Sequence, residues 1–277
     1  MSQTPYGPDD LASPPLDGAA FLGLLADNYQ RKMGEPPEFF RELLAGKLTK
    51  EQVQSWVKDQ YFYWDNLYYS TAAIYIKTNE HAVRAKLLRR LVWVEGKSVV
   101  RDVRPDWKTP AYEELLIRLG IGLGLTREEI EDWQPYTRTF FSISTLCLYS
   151  RGWEWSWLDG IANLYASDLF YRDVLAKARA VLADSFGTGE EALSFFDAVI
   201  GDAEENIAWE EEVLAYWACT TERQLTAARA FRERLDIEGQ CLVGVTQALS
   251  GEEPFRTPKG TVIPDLLGNE IVPVQVS

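Results

Sequence analysis

From Ala19 to about Leu249 the apolar residues of this 277-residue chain recur at spacings of three and four. The run is broken only at Gly34 to Pro37, Gly46, Pro105 to Pro110, Gly120 to Thr126, Gly152 and Gly187 to Gly189. Such a period commits the chain to helices, and it predicts seven or eight of them with no convincing strand. Helix starts carry their own signals: Thr49 with Gln52, and Thr126 with Glu129, each have the spacing of a capping box. Residues 1–18, rich in Pro, Asp, Gly and Ser, read as a flexible arm, 19–250 as the helical domain, and 251–277 as an irregular extension forming a short hairpin or a strap.

Composition narrows the function. A formal charge of −14 repels a phosphate backbone, and the basic residues are scattered, so nucleic acid is excluded as a partner. No apolar run reaches the roughly 18 residues that a membrane span needs, and the N-terminus lacks the parts of a signal peptide; the expected location is the cytoplasm. Cys147, Cys219 and Cys241 lie far apart and read as buried free thiols. The single histidine, His81, rules out three-histidine zinc and paired Glu-x-x-His sites. It sits at a helix start, where a solvated role is expected. Nucleotide-binding and serine-hydrolase motifs are absent, and GIGLGL at 120–125 has the wrong spacing for a dinucleotide fingerprint.

One stretch breaks the rule that apolar faces are apolar. In DAVIGDAEENIAWEEEVLAYW, helical placement at about 100° per residue gathers Val199, Ala203, Ile207, Val213, Leu214 and Trp217 into one arc. Asp202, Asn206 and Glu210 fall within it or beside it. The same construction sets Glu95 and Asp102 at one side of the Val83, Leu87, Leu91, Val94 face, and Asp168 among Ile161, Leu164, Tyr165 and Leu175. A buried, unpaired carboxylate costs several kcal/mol, so three outcomes are open: pairing with arginines, a polar ligand cavity, or a metal. Arg84, Arg90 and Arg101 are candidate partners for Glu95, and Arg172 for Asp168. An all-oxygen metal shell favours Mg or Mn.

Aromatic residues form a second constellation. Tyr61, Tyr63, Trp64, Tyr68 and Tyr69 fall within a few turns, and Trp153, Trp155 and Trp157 follow in GWEWSW. At helical spacing these read as core, and tyrosine hydroxyls beside acids and Arg90 can equally line a pocket for a flat polar substrate.

The segments LLAGKLTKEQVQSWVKDQYFYWDNL, RRLVWVEG, LDGIANLYASDLF and DAEEN resemble those of the pyrroloquinoline quinone synthase C and TENA/thiaminase II proteins of the haem-oxygenase-like superfamily, over residues 35 to 245. The resemblance implies an all-α bundle of about seven helices around a small-molecule cavity, a homodimer, and no haem. In it Tyr63 and Arg90 match working residues of the synthase. Gln60 and Trp64 replace its flanking arginine and glutamine, Val94 one histidine, and Asn163 and Phe170 a glutamate and a second histidine. The thiaminase nucleophile falls near Tyr165. In the dimetal oxidases of the superfamily the ligand positions correspond to Glu95, Asp102, Asp168, Ala198, Asp202 and Glu205.

The function expected from residues and resemblance is an oxidoreductase using dioxygen on a small aromatic or amino-acid-derived compound. Tyr63, Arg90, Asp168 and Asp202 are the expected catalytic groups, with Arg90 anchoring a substrate carboxylate. Gln60, Tyr61, Trp64, Asn163, Asn206 and Glu210 are expected to bind substrate. Should a metal (Mn, Fe or Mg) bind, Glu95, Asp102, Asp168, Asp202 and Glu205 are its expected ligands. A thiaminase-like hydrolase or lyase and a non-catalytic ligand-binding or partner protein are the alternatives.

Overall fold

The computed structural model describes residues 15–94, 110–152, 155–259 and 261. Helices α1 (Gly18–Met33), α2 (Glu38–Leu44), α3 (Lys50–Lys77) and α4 (His81–Val94) form the first half. They are followed by α5 (Tyr112–Gly122), α6 (Arg127–Glu131), α7 (Thr137–Arg151) and α8 (Trp157–Phe170). A π-helical turn, Tyr171–Leu175, joins α8 to α9 (Ala176–Phe186), and α10 (Glu190–Trp217), α11 (Thr221–Cys241) and α12 (Val243–Leu249) complete the bundle. There are more helices than the expected seven or so, because α2, α6 and α12 span only five to seven residues. A segment that short completes less than two full turns and leaves no periodic signature.

The expected capping boxes are present. Thr49 N–H donates to Gln52 Oε1 at 2.8 Å and Gln52 N–H to Thr49 Oγ1 at 3.3 Å. Thr126 and Glu129 repeat the exchange. Ser156 and Asp159 make a third box, which keeps the buried Asp159 in use at the start of α8. Among the described residues no strand occurs, and residues 251–259 of the C-terminal extension lie as a strap along the start of α7. Thr137 N–H donates to Phe255 O, Thr257 N–H donates to Pro135 O, and the Arg256 guanidinium lies 3.8 Å from the centre of the Trp133 ring. Leu16 is tied to Gln224 by two hydrogen bonds, and Asp17 caps α1; residues 1–14 and 262–277 of the arm and extension lie outside the described residues.

The core is organised on α3. Trp56 stacks between Phe39 and Phe196, with Phe40 edge-on. Around it α8, α10 and α11 pack against one another, α11 lying most extensively on α8. Gly160 permits the approach of α8 to α3: a Cβ at that position would sit 2.5 Å from Ile74 Cγ1. Cys147 and Cys241 are buried as expected, but Cys219 is exposed, since it lies just beyond the end of α10. His81 is exposed at the first residue of α4.

Candidate functional site: two buried polar clusters

Four polar side chains meet beside a small cavity at the centre of the bundle. Tyr63 comes from α3, Tyr171 from the π-helical turn, and Arg234 and Glu238 from α11. All four are buried. Arg234 Nη2 donates to the Tyr63 hydroxyl and, at 3.2 Å, to the Tyr171 hydroxyl, and it pairs with Glu238 at 2.7 Å. Tyr63 in turn donates to Glu238 Oε1 at 3.0 Å, and its oxygen touches that of Tyr171. The cavity holds about 20 Å³ and is bordered also by Trp56, Gln60, Trp64, Phe170, Phe195 and Cys241. That is room for roughly one water molecule.

Burial pushes the Tyr63 and Tyr171 hydroxyls well above the ordinary phenol range, so both keep their protons. Burial also works against the charge on Arg234, but Glu238 and the two tyrosines outweigh it and hold the guanidinium ionised. Glu238 is raised by burial against the opposing pull of Arg234. A phenol held between a guanidinium and a carboxyl can pass a proton to the carboxyl while the guanidinium steadies a developing oxyanion.

The second cluster carries the inward-facing acids of α8 and α10. Arg90, on α4, makes a bidentate ion pair with Asp168, on α8, with Nη2 2.8 Å from Oδ1. Its Nη1 also lies 3.3 Å from Glu210 Oε1, on α10. One cation faces two acids, and all three side chains are buried. Burial raises both carboxyls, Arg90 pulls Asp168 back, and the neighbouring Asp168 pushes Glu210 further up. The assignment that balances charge is Asp168 ionised and Glu210 protonated.

The structure therefore alters several expectations. Arg90 is not free to anchor a substrate carboxylate, because Asp168 already occupies its fork. Arg172, the expected partner of Asp168, instead pairs with Asp173 at 2.7 Å. It lies in the π-helical turn, where the four-residue α-helical register no longer holds. Tyr61 is half-buried toward Glu113 and Glu131 of α5 and α6, away from the cavity. Asn206 accepts from Trp209 Nε1 at 3.0 Å on its own helix. Asp202, half-buried, accepts from the Tyr112 hydroxyl in a cleft with Trp93 and Ala198. Glu205 pairs with Arg89 at the surface, half exposed. Asn163 is fully buried, and neither side-chain polar atom has a partner among the described residues. Tyr165 donates to Glu211 at 2.9 Å, and Val94 is buried in the core. Trp155 donates to Glu233 and Trp157 packs on Trp217; Glu95, Arg101, Asp102 and Trp153 lie outside the described residues.

These positions bear directly on a metal. Both oxygens of Asp168 face Arg90, Asp202 serves Tyr112 and Glu205 serves Arg89, so the three acids diverge. Among the described residues no group of three or more potential ligands forms a metal site. Of the expected ligands that are described, Asp168, Asp202 and Glu205 do not converge on one point, and Arg90 takes both oxygens of Asp168.

Tyr171, Arg234 and Glu238 escaped the sequence reading. Arg234 and Glu238 stand four apart on a helix whose buried face includes Ala227, Ala230, Phe231 and Cys241. That i,i+4 pair of opposite charges on an apolar face was a usable signal.

An all-helical bundle that closes over an interior polar chamber is the architecture of the haem-oxygenase-like fold. A family model described as TENA/THI-4/PQQC matches residues 29–217, and the chain belongs to that family. A pyrroloquinoline-quinone synthase of Granulibacter bethesdensis is 23% identical over 231 residues, covering 82% of this chain and 85% of the relative. Its counterpart in Acinetobacter baylyi is 23% identical over 223 residues, covering 76% and 80%. Among solved structures, a domain of unknown function with a haem oxygenase-like fold from Shewanella denitrificans aligns with a TM-score of 0.67 at 14% identity, over 85% of this chain and 94% of its own. A TenA homologue from Pseudomonas syringae pv. tomato aligns with a TM-score of 0.62 at 12% identity, over 87% and 96%. At such identities the likeness to solved structures is one of fold. No helix among the described residues is long and apolar enough to cross a membrane.

Proposed function

We propose that this chain oxidises a small aromatic or amino-acid-derived compound with dioxygen, at the chamber bordered by Tyr63, Tyr171 and Glu238, with Arg234 bonded behind them. The observation that carries the reading is the Tyr63 hydroxyl held between Arg234 and Glu238 at the cavity edge. Family membership and two synthase relatives covered over 80% or more of their length add to it. In the reaction the substrate gives up two electrons and two protons, and dioxygen takes them up as hydrogen peroxide. The first proton passes to the Tyr63 oxygen as the proton of Tyr63 moves to Glu238, and Arg234 steadies the negative charge left on the substrate through the Tyr63 and Tyr171 hydroxyls it holds. Trp64, Phe170 and Phe195 supply flat walls for a conjugated ring, and Gln60 brings an amide nitrogen that has no other partner among the described residues. The cavity of about 20 Å³ admits a ring only when these aromatic walls move. A homodimer in the cytoplasm belongs to the same proposal and rests on the resemblance.

The small cavity also favours a second reading, in which the chain is a non-catalytic member of the family. The test is oxygen uptake and peroxide formation with a panel of amino-acid-derived catechols and quinols, for the wild type and for Tyr63→Phe. Stoichiometric peroxide that falls on the order of a hundredfold or more in the variant supports the oxidase. Turnover without oxygen assigns TENA-type cleavage chemistry instead, and binding without turnover assigns the non-catalytic role.

A further inference from the structure

Asp59, on α3, is fully buried, and among the described residues it makes no ion pair. Its Oδ1 accepts from the Tyr136 backbone N–H at 2.8 Å, at the N-cap of α7, and its Oδ2 lies 2.6 Å from Thr139 Oγ1. Thr139 Oγ1 also lies 2.9 Å from the backbone carbonyl oxygen of Cys241, the last residue of α11. Thr139 is fully buried as well. Its hydroxyl therefore faces two acceptors, a carboxyl oxygen and a carbonyl oxygen, and it has a single proton to give. If Asp59 is ionised, one of those two short contacts sets oxygen against oxygen without a hydrogen between them. If Asp59 carries a proton on Oδ2, every group is satisfied: Asp59 donates to Thr139, Thr139 donates to Cys241, and Oδ1 still accepts from Tyr136.

We propose that Asp59 is a neutral carboxylic acid in the native protein and that its proton completes a clamp joining α3, the start of α7 and the end of α11, a clamp that ionisation opens. The two helix ends are where the clamp matters, because the first N–H groups and last carbonyls of a helix have no partner within it. Desolvation raises the acid to about 7 against the opposing effects of Thr139, the Tyr136 N–H and the more distant Arg256 of the strap. The titratable and charged groups facing Asp59 are Tyr136 from α7, Cys241 from α11 and Arg256 from the strap; only Arg256 favours the ionised form. Asp59 binds a proton more tightly folded than unfolded. Its contribution to stability is thus complete below the ordinary carboxyl range and is lost as the pH rises to about 7, then stays lost. Gln60 and Cys241, the one following Asp59 and the other bonded through Thr139, both border the central chamber, so opening the clamp loosens two of its walls.

The test pairs Asp59→Asn with a carboxyl NMR titration of the wild type. An asparagine supplies the same pattern permanently, Oδ1 accepting from Tyr136 and Nδ2–H donating to Thr139. Between about pH 5 and about pH 8 the melting temperature of the wild type should fall further than that of the variant, which should match it in acid and exceed it in base. The labelled Asp59 carboxyl should titrate near 7. A variant less stable than the wild type at about pH 8, or an Asp59 resonance that titrates in the ordinary carboxylate range, overturns the proposal. If the variant does not fold, the titration of the wild type decides alone.

Discussion

Arg90 and Asp168 close a bidentate ion pair inside the bundle, 78 residues apart in sequence and both buried. The pair answers why a helical chain turns acids inward: one cation is shared by Asp168 and Glu210, and the extra proton settles on Glu210.

Removing the cation leaves two buried acids without a counter-charge. Arg90→Met should lower unfolding free energy by about 3–5 kcal/mol, as for other broken buried pairs, and Arg90→Lys should recover little of it, since an ammonium cannot grip both oxygens of Asp168. Urea denaturation of the three proteins measures this.

Glu210→Gln should be tolerated, because the native group is already uncharged and the amide keeps an oxygen that can accept from Arg90 Nη1. Burial holds the folded group above its unfolded range, so its contribution to stability is present in acid and is lost as the pH rises. The variant should therefore lose less stability than the wild type between about pH 5 and about pH 8, as read from thermal melts.

Tyr63→Phe deletes the hydroxyl that links Arg234 to Glu238. Beyond its effect on turnover, it should cost about 1–3 kcal/mol, the usual penalty for leaving buried polar partners short of a bond. Chemical denaturation checks the value, and a melting temperature unchanged from the wild type would contradict the geometry.

At the α8–α3 contact, Gly160→Ala drives a methyl group to 2.5 Å from Ile74 Cγ1. Helix propensity alone would favour alanine, so a net loss of about 1–3 kcal/mol would show that packing wins. Ile74→Ala should relieve that clash, making the double variant more stable than the sum of the single changes. Melting of the four proteins completes the cycle.

Much of the fold was legible because burial of a helix face is a one-dimensional property. The spacing of Val199, Ala203 and Ile207 placed α10, Thr49 with Gln52 and Thr126 with Glu129 marked two starts, and the same period pointed Asp168 and Glu210 inward. Each of these depends on neighbours within a turn or two, where the geometry of the α-helix is fixed by its own hydrogen bonds.

What the acids and tyrosines meet was decided only by how the helices cross. Asp168 looks along the chain toward Arg172, but the π-helical turn removes that partner and the α4–α8–α10 contact brings Arg90 in its place. Glu205 and Asn206 share a helix with Glu210 yet end at the surface or on Trp209, because they are rotated from it by about 140° and about 40° around the helix axis. Tyr63 finds Arg234 across 171 residues, and Asp59 finds Thr139 across 80. Local periodicity states which side of a helix is buried; the partner of a buried charge is set by packing, since desolvation rewards whichever opposite group the fold brings within reach.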